Sequence, residues 1–555
     1  MTESLGPRFH PNLQGRTSFL PTDSRPPQIK NSIERFDFCH SELVIGLVCA
    51  VGTDYAPVRC SIERILSRFD YSSRTIKISN LIARFTGKSL PASPETQRID
   101  SLMTAGNELC RQTKRKDVWA LAAIAEINAS RSQDSLGPNA QPRTAHILLT
   151  LKRPEEVATL RKVYGDGFFL VGVFATETER LDYLIERNAP KDEALRLIRR
   201  DAEEADDEYG QYTADTFQLS DVFVQFRNGA FVEDLGRFFN LIFSHPYITP
   251  TQQEHGMFMA YAASLRSAQL GRQVGAAITS ERGDILGVGT NDVPKPGGGL
   301  YWPDQPDYRD HILGKDSNDE ERDKIAQRLL DAVEALNQKR QKAIEATIQA
   351  NGTLVSDRDA ILKQIQEALA AVDLVSDSLK SPFRARLDIT EYGRAVHAEM
   401  DALLSCARSG VSPGGALFYV TTFPCHNCTR HIIAAGIKRV YYIEPYGKSR
   451  AEELHSDAIV VEEKLERKRG RNRRVPFTHF VGVGPRRYFD LFSLTLSRGH
   501  ELIRKEGGKI MNVETTNAWA RIPLSPYSYL QKEEIAVEQF DSIYSKQLDM
   551  FEDQE

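Results

Sequence analysis

Four residues in the last third of the chain have the types and spacing for metal-assisted hydrolysis. His397 stands in Val396-His397-Ala398-Glu399-Met400, and Cys425 and Cys428 stand in Pro424-Cys425-His426-Asn427-Cys428. One imidazole and two thiolates make a zinc donor set (Zn2+), and three protein donors leave a fourth position open for chemistry. Glu399, two residues beyond the histidine, is not a ligand in this reading; it is the catalytic residue, carrying protons between water and a substrate nitrogen. Two other readings compete. A Cys-x-x-Cys pair can be a redox couple or half of a closed structural site. A closed site needs a fourth donor. His426 lies inside the pair and points away from a metal held by its neighbours, whereas His431, three residues past Cys428, is a fair rival. The acid two past the histidine and the proline before the first cysteine favour the open arrangement.

Three elements must bring these residues together. Small and apolar residues recur at helical intervals from Val396 to Cys406, which places His397 in a helix's first turn. Ala416 to Val420 reads as a buried strand. Cys425 and Cys428 are one turn apart on a second helix, with Pro424 near its start, and a helix N-terminus favours thiolate over thiol. Upstream, Thr251 with Glu254 forms a capping box before a helix whose apolar face carries Met257, Tyr261, Leu265 and Ala268. Gly275–Thr279 and Asp284–Gly289 then form a hairpin around Glu281-Arg282-Gly283, followed by Thr290-Asn291.

The His397-Ala398-Glu399 and Pro424-to-Cys428 stretches have the H-x-E…P-C-x-x-C pattern of the zinc nucleobase deaminases. They resemble the deoxycytidylate deaminase branch of the cytidine deaminase superfamily. The longer architecture is similar to the anti-phage deoxycytidine-nucleotide deaminases, with Arg153 to Val157 and Leu160 to Gly165 resembling their kinase-like half. This resemblance covers nearly the whole chain beyond residue 40. It implies an α/β fold: an N-terminal P-loop kinase-like parallel sheet, then a three-layer α/β/α deaminase domain with a helical insertion. It also implies a free deoxycytidine nucleotide (dCMP, dCTP or both) as substrate, depletion of dCTP against phage as outcome, Asn291 on the sugar hydroxyl and Tyr446 beside the base. A polynucleotide deaminase acting on cytosine or adenine shares the zinc motif and is the alternative. A non-enzymatic assembly with a vestigial site is a further reading, opposed by the intact His397, Glu399, Cys425 and Cys428. The resemblance further implies a small regulatory RNA as a partner, since some such relatives are held inactive by one.

The remaining chain sets the frame. Its 555 residues imply two or more domains, and 41% hydrophobic with 26% charged residues is an ordinary soluble composition. A formal net charge of -5 creates no global attraction to nucleic acid. No run reaches eighteen apolar residues, the first residues lack a signal pattern, and seven cysteines suit a reducing compartment; a cytoplasmic protein without a membrane span is expected.

The expected domains are a flexible tail at 1–32, a degenerate kinase-like domain at 33–245, a first deaminase part at 246–300, an insertion at 301–385, the zinc-binding part at 386–500 and an extension at 501–555. In the first domain, Leu43 to Ala50 reads as a buried parallel strand followed by a turn and a helix. Gly46, Gly52 and Thr53 are candidate phosphate contacts. The spacing of a full phosphate loop is absent and no lysine follows Gly52, so bound nucleotide without turnover and a purely structural role both stay open. The charged stretch from Leu181 to Tyr209 reads as a lid or a solvated helix. The insertion reads as a helical hairpin that shapes the pocket, joins subunits of a homo-oligomer or takes up a regulator; its lone His311 does not define another metal. Seven cations between Lys464 and Arg474 imply an anionic partner, substrate phosphate or RNA, or a solvated loop.

Overall fold

A computed structural model of the protein describes residues 41–87, 95–131, 133–134, 137–138, 140–202, 204, 207–226, 229–350, 392–445, 449–461, 474–496, 501–512, 515 and 518–552. These all belong to one compact unit, His40–Glu555. The fold is mixed α/β, built on two six-stranded sheets.

The first sheet grows from β1 (Leu43–Cys49), every residue of which is buried. Side chains alternate across a strand, so Leu43, Ile45, Leu47 and Cys49 enter one core cluster while Val44 and Val48 enter another. Burial on both faces is what an apolar run without polar alternation requires. Helix α1 (Ala56–Arg68) follows, then β2 (Ser72–Lys77), helix α2 (Val118–Ala129), β3 (Thr144–Leu149), helix α3 (Pro154–Tyr164) and β4 (Phe168–Phe174). Helix α4 (Lys191–Ala202) and the short α5 (Thr213–Phe217) lead to β5 (Val222–Gln225). These five strands run parallel in the order β2-β3-β1-β4-β5. The chain therefore reverses its direction of winding at β1, and such a switch point opens a crevice at the carboxyl ends of the strands.

The second sheet carries the candidate chemistry. Helix α6 (Gln252–Ser264) has the expected capping box: Thr251 Oγ1 accepts from Glu254 N at 3.2 Å and Glu254 Oε2 from Thr251 N at 2.7 Å. The hairpin strands β6 (Gly275–Thr279) and β7 (Ile285–Thr290) follow, then helix α7 (Ala398–Ser409), β8 (Leu417–Thr422), helix α8 (His426–Ala434) and β9 (Arg439–Glu444). Strands β10 (Ile459–Val461) and β11 (Val475–His479) complete the order β10-β11-β9-β8-β6-β7. Strands β8, β9, β11 and β10 are mutually parallel; the hairpin is antiparallel.

Two segments after the second sheet return to the first. Strand β12 (Gly482–Val483) pairs antiparallel with β5, inside the sheet whose other strands all precede residue 226. Helix α9 (Pro526–Glu552) covers α2, whose residues are apolar on every side: Tyr529, Ala536 and Phe540 share a core cluster with Trp119, Ile124 and Ile127. Arg131 fastens this return through its fork to Glu533, at 2.9 and 3.0 Å, and through Glu42. The same cluster includes Tyr419 and Tyr441 of the second sheet and Leu170 and Phe223 of the first, so one core runs under both.

In the insertion, a helix over Ser317–Ala350 supplies the expected first arm; the second arm lies outside the described residues. No helix among the described residues is long and apolar enough to cross a membrane.

A candidate metal centre

The two helices meet the centre with their N-terminal caps. His397 is the N-cap of α7 and Cys425 the N-cap of α8, each with extended backbone. His397 thus stands one residue before the helix rather than in its first turn, and Pro424 precedes the cap instead of opening the helix. Cys425 Sγ accepts from the backbone N–H of Cys428 at 3.4 Å, the cap bond that a thiolate makes at a helix start.

His397 Nδ1 lies 3.4 Å from Cys425 Sγ and 3.3 Å from Cys428 Sγ, and the three donor atoms fall within 4.8 Å of one another. Tetrahedral zinc at ordinary bond lengths separates its nitrogen and sulfur ligands by about 3.5 Å, so the donor set fits the ion. His431 does not join it: its Nδ1 faces the carbonyl of Asn427 at 2.7 Å, and among the described residues these three form the one His/Cys/Asp/Glu group suited to a metal. The pairing already separates charge. The hydrogen bond to Cys425 pushes His397 up to about 9. Hydrogen bonding, first from Cys428 and then from His397, pulls Cys425 down to about 4. Zinc takes deprotonated sulfur and neutral imidazole, so metal binding releases protons from this set.

Glu399 sits in the first turn of α7, 5% exposed, and burial foremost raises its carboxyl above the usual range. It lines a cavity of about 220 Å³ with His397, Cys425, Asn291, Phe423 and Arg272. The close approach of α7 to β7 sets its position. A Cβ on Gly289 would lie 2.2 Å from the carbonyl oxygen of Ala398 and the nitrogen of Ala402, so only glycine lets the helix seat there. Asp401 ties the same turn down by accepting from Thr290 N at 3.2 Å.

Asn291 lines the cavity with its amide engaged in the protein: Oδ1 accepts from Val274 N and Nδ2 donates to Arg272 O, both at 2.7 Å. It holds the 272–274 segment in place, and one lone pair and one N–H remain available for substrate. Tyr446 lies outside the described residues. So does the basic run except Arg474, whose Nη1 donates to Ser456 O at 3.1 Å. His311 is exposed on a short helix, Asp310–Leu313, outside the metal group.

Two lining residues had not been singled out from the sequence. Phe423 presents a ring to the cavity, held edge-on against Tyr442 at 4.9 Å; its place between strand and Pro424 was the available signal. Arg272 pairs with Glu444, whose other oxygen accepts from Thr422 Oγ1 at 2.9 Å. A cation just before the first hairpin strand was the signal there.

The candidate phosphate contacts of the first sheet divide. Gly46 is buried inside β1, where a Cβ would meet Leu151 Cδ1 at 2.8 Å; it serves strand packing and lies away from the turn, which corrects its expected role. Gly52, at φ +87°, and Thr53 do line a cavity at the end of β1. The anion position of that turn is filled by the protein. Asp201 Oδ2 accepts from Val51 N at 2.7 Å, and its Oδ1 accepts from Lys152 Nζ at 2.7 Å and Thr213 Oγ1 at 3.1 Å.

Residues 250–444 match the family model of the cytidine and deoxycytidylate deaminase zinc-binding region. Among curated relatives, ComE operon protein 2 of Bacillus subtilis (strain 168) is 49% identical over 74 residues, 13% of this chain and 39% of that protein. The deoxycytidylate deaminase of enterobacteria phage T4 is 46% identical over 55 residues, 10% of this chain and 28% of that one. A probable deoxycytidylate deaminase of Drosophila melanogaster is 33% identical over 105 residues, 18% of this chain and 51% of that one. The chain thus spans roughly a quarter to a half of the length of these relatives.

Proposed function

We propose that this chain, whose residues 250–444 match a cytidine and deoxycytidylate deaminase zinc-binding region, hydrolyses the exocyclic amine of a deoxycytidine nucleotide. The carrying observation is that His397, Cys425 and Cys428 converge within 4.8 Å, and that His397 and Cys425 line one cavity with buried Glu399 and Asn291. Zinc, when bound, acidifies water and so supplies a nucleophile near neutral pH.

The protein's residues do the rest. Glu399 takes a proton from the attacking water and delivers it to N3 of the base, then takes the proton of the new C4 hydroxyl and delivers it to the departing amino group. The C4–N bond breaks, a C4=O bond remains, and water plus cytosine yields uracil plus ammonia. A raised carboxyl suits this shuttle, because it must hold and release a proton in each turnover. Phe423 supplies an apolar wall for the ring, and Asn291 faces the sugar. Arg272 lines the cavity and is the cation we assign to a 5′-phosphate.

The substrate reading is dCMP, dCTP or both, with dCTP depletion against phage as the biological outcome. The kinase-like reading of the first sheet and control by a small RNA belong to the same proposal. A nucleotide panel followed by ammonia release tests it: turnover is expected with dCMP or dCTP. Turnover of oligonucleotides alone would replace the substrate assignment with the polynucleotide one.

A further inference from the structure

The cavity of the first sheet has its own chemistry, separate from the metal centre. It measures about 170 Å³ and lies at the carboxyl ends of β1 and β3, beside the switch point of the sheet. A protein cavity of about 150 Å³ accepts a benzene ring, so this one takes a single planar ring.

Its charges are already spent. Arg98 pairs with Glu95 at 2.5 Å, Lys152 with Asp201 at 2.7 Å and Arg153 with Glu156 at 3.3 Å. Arg153 is also committed to the carbonyls of Gly210 and Asn107, at 3.1 and 2.6 Å. Each described cation that lines the cavity is paired with a carboxylate, and the turn's Val51 N–H points to Asp201.

Its uncharged polar groups are not spent. Thr53 and Gln211 both line the cavity, 4% and 6% exposed, and the buried Thr53 Oγ1 and Gln211 Oε1 have no hydrogen-bond partner among the described residues. A buried polar atom without a partner costs about 1–3 kcal/mol. Two such atoms in one ring-sized chamber indicate a ligand that supplies the partners. Tyr55, Tyr183 and Trp119 border the same space with ring surface; the Trp119 N–H is already given to Gly106 O at 3.2 Å.

We propose that this cavity binds an uncharged nucleoside. Its base enters the chamber between the aromatic walls and hydrogen-bonds Thr53 and Gln211, and its sugar leads outward. Asp201 takes the place a phosphate would occupy, so the site selects against the phosphorylated form of the same nucleoside.

The test is equilibrium dialysis of the full chain against adenosine, guanosine, thymidine and deoxycytidine, each beside its 5′-triphosphate. At least one nucleoside is expected to bind once per chain, at least tenfold more tightly than its triphosphate. The double variant Thr53→Val with Gln211→Met should weaken that binding at least tenfold while ammonia release by the metal centre is unchanged. Should the double variant misfold, a crystal structure soaked with the bound nucleoside replaces it, with the base expected against Thr53 and Gln211. Three results overturn the proposal: no nucleoside binding below about 1 mM, equal or tighter binding of the triphosphate, or a cavity that holds water alone. Binding is read without turnover, so these outcomes are independent of whether the metal centre is a deaminase.

Discussion

Each sheet gathers polar chemistry at one point, and the two points satisfy it in opposite ways. At the second sheet, the N-terminal ends of α7 and α8 turn an imidazole and two cysteine sulfurs toward one point. At the first sheet, a backbone N–H from the turn after β1 and a lysine from the segment after β3 meet at one point, and Asp201 from a distant helix fills it. The first arrangement waits for an ion from outside; the second contains its own. An N–H and a cation brought to one point are satisfied once the chain delivers one carboxylate.

The largest expected effects break the open site. Removing one donor with Cys428→Ser or His397→Ala should lower bound zinc, read by metal analysis, and lower ammonia release by roughly a thousandfold or more, because the ion supplies the nucleophile. Glu399→Gln should keep the zinc and lose turnover by about 10²–10⁴. Near-native turnover in Glu399→Gln would remove the proton-shuttle role, and full zinc in Cys428→Ser would remove that thiolate as a ligand.

The next effect breaks the closed site. Asp201 is fully buried, so Asp201→Ala leaves Lys152 and the Val51 N–H without their carboxylate in a nearly dry setting. Breaking such a pair costs about 3–5 kcal/mol, discounted here toward the lower figure because Lys152 is 15% exposed. Denaturant unfolding should show the loss. The same variant should gain affinity for inorganic phosphate, since the anion position opens. A variant as stable as the native chain and still indifferent to phosphate would end the comparison.

The two sites also differed in how far the sequence exposed them. His397, Glu399, Cys425 and Cys428 lie within 32 residues, and their spacing alone encodes the geometry. The apolar run of β1 and the capping box of α6 were equally local signals. Asp201 was not legible, because it sits in a stretch of acids and its partners lie 49 and 150 residues away. Charge in a helix does not reveal which acid turns inward. Strand β2 was missed because five of its six residues are exposed or half-buried, so no apolar pattern marks it. Strand β12 is two residues long, too short for any periodicity, although it inserts the end of the chain into the first sheet. Gly46 was misassigned since a glycine packed within a strand and one in a turn look alike in sequence.

A smaller effect tests the positioning of the open site by backbone. Gly289→Ala places a methyl 2.2 Å from the backbone of Ala398 and Ala402, which α7 can relieve only by lifting from β7. Overpacking of this kind costs about 1–3 kcal/mol. Since Glu399 rides on the first turn of α7, kcat should fall by more than the stability loss explains, measured at a temperature where the variant is fully folded. An unchanged kcat would show that Glu399 is held by something other than the α7–β7 contact.

The smallest effect concerns Arg272, where the open site borrows a device from the closed one. Like Lys152, it pairs with a carboxylate, here Glu444. Unlike Lys152, it is half exposed, and exposed pairs contribute about 0–1 kcal/mol. Such a pair can be exchanged for a phosphate carrying more charge, whereas the Lys152–Asp201 pair cannot be exchanged without unburying a cation. Arg272→Gln should therefore leave folding and kcat close to native and raise KM for the nucleotide about tenfold. The rise should shrink as salt is added, because the lost attraction is between a charged side chain and solvent-facing phosphate. Deoxycytidine, lacking the phosphate, provides the control: its kcat/KM should be indifferent to the substitution. If deoxycytidine suffers as much as dCMP, Arg272 acts through Glu444 and Thr422 on the cavity wall, and the phosphate is read elsewhere.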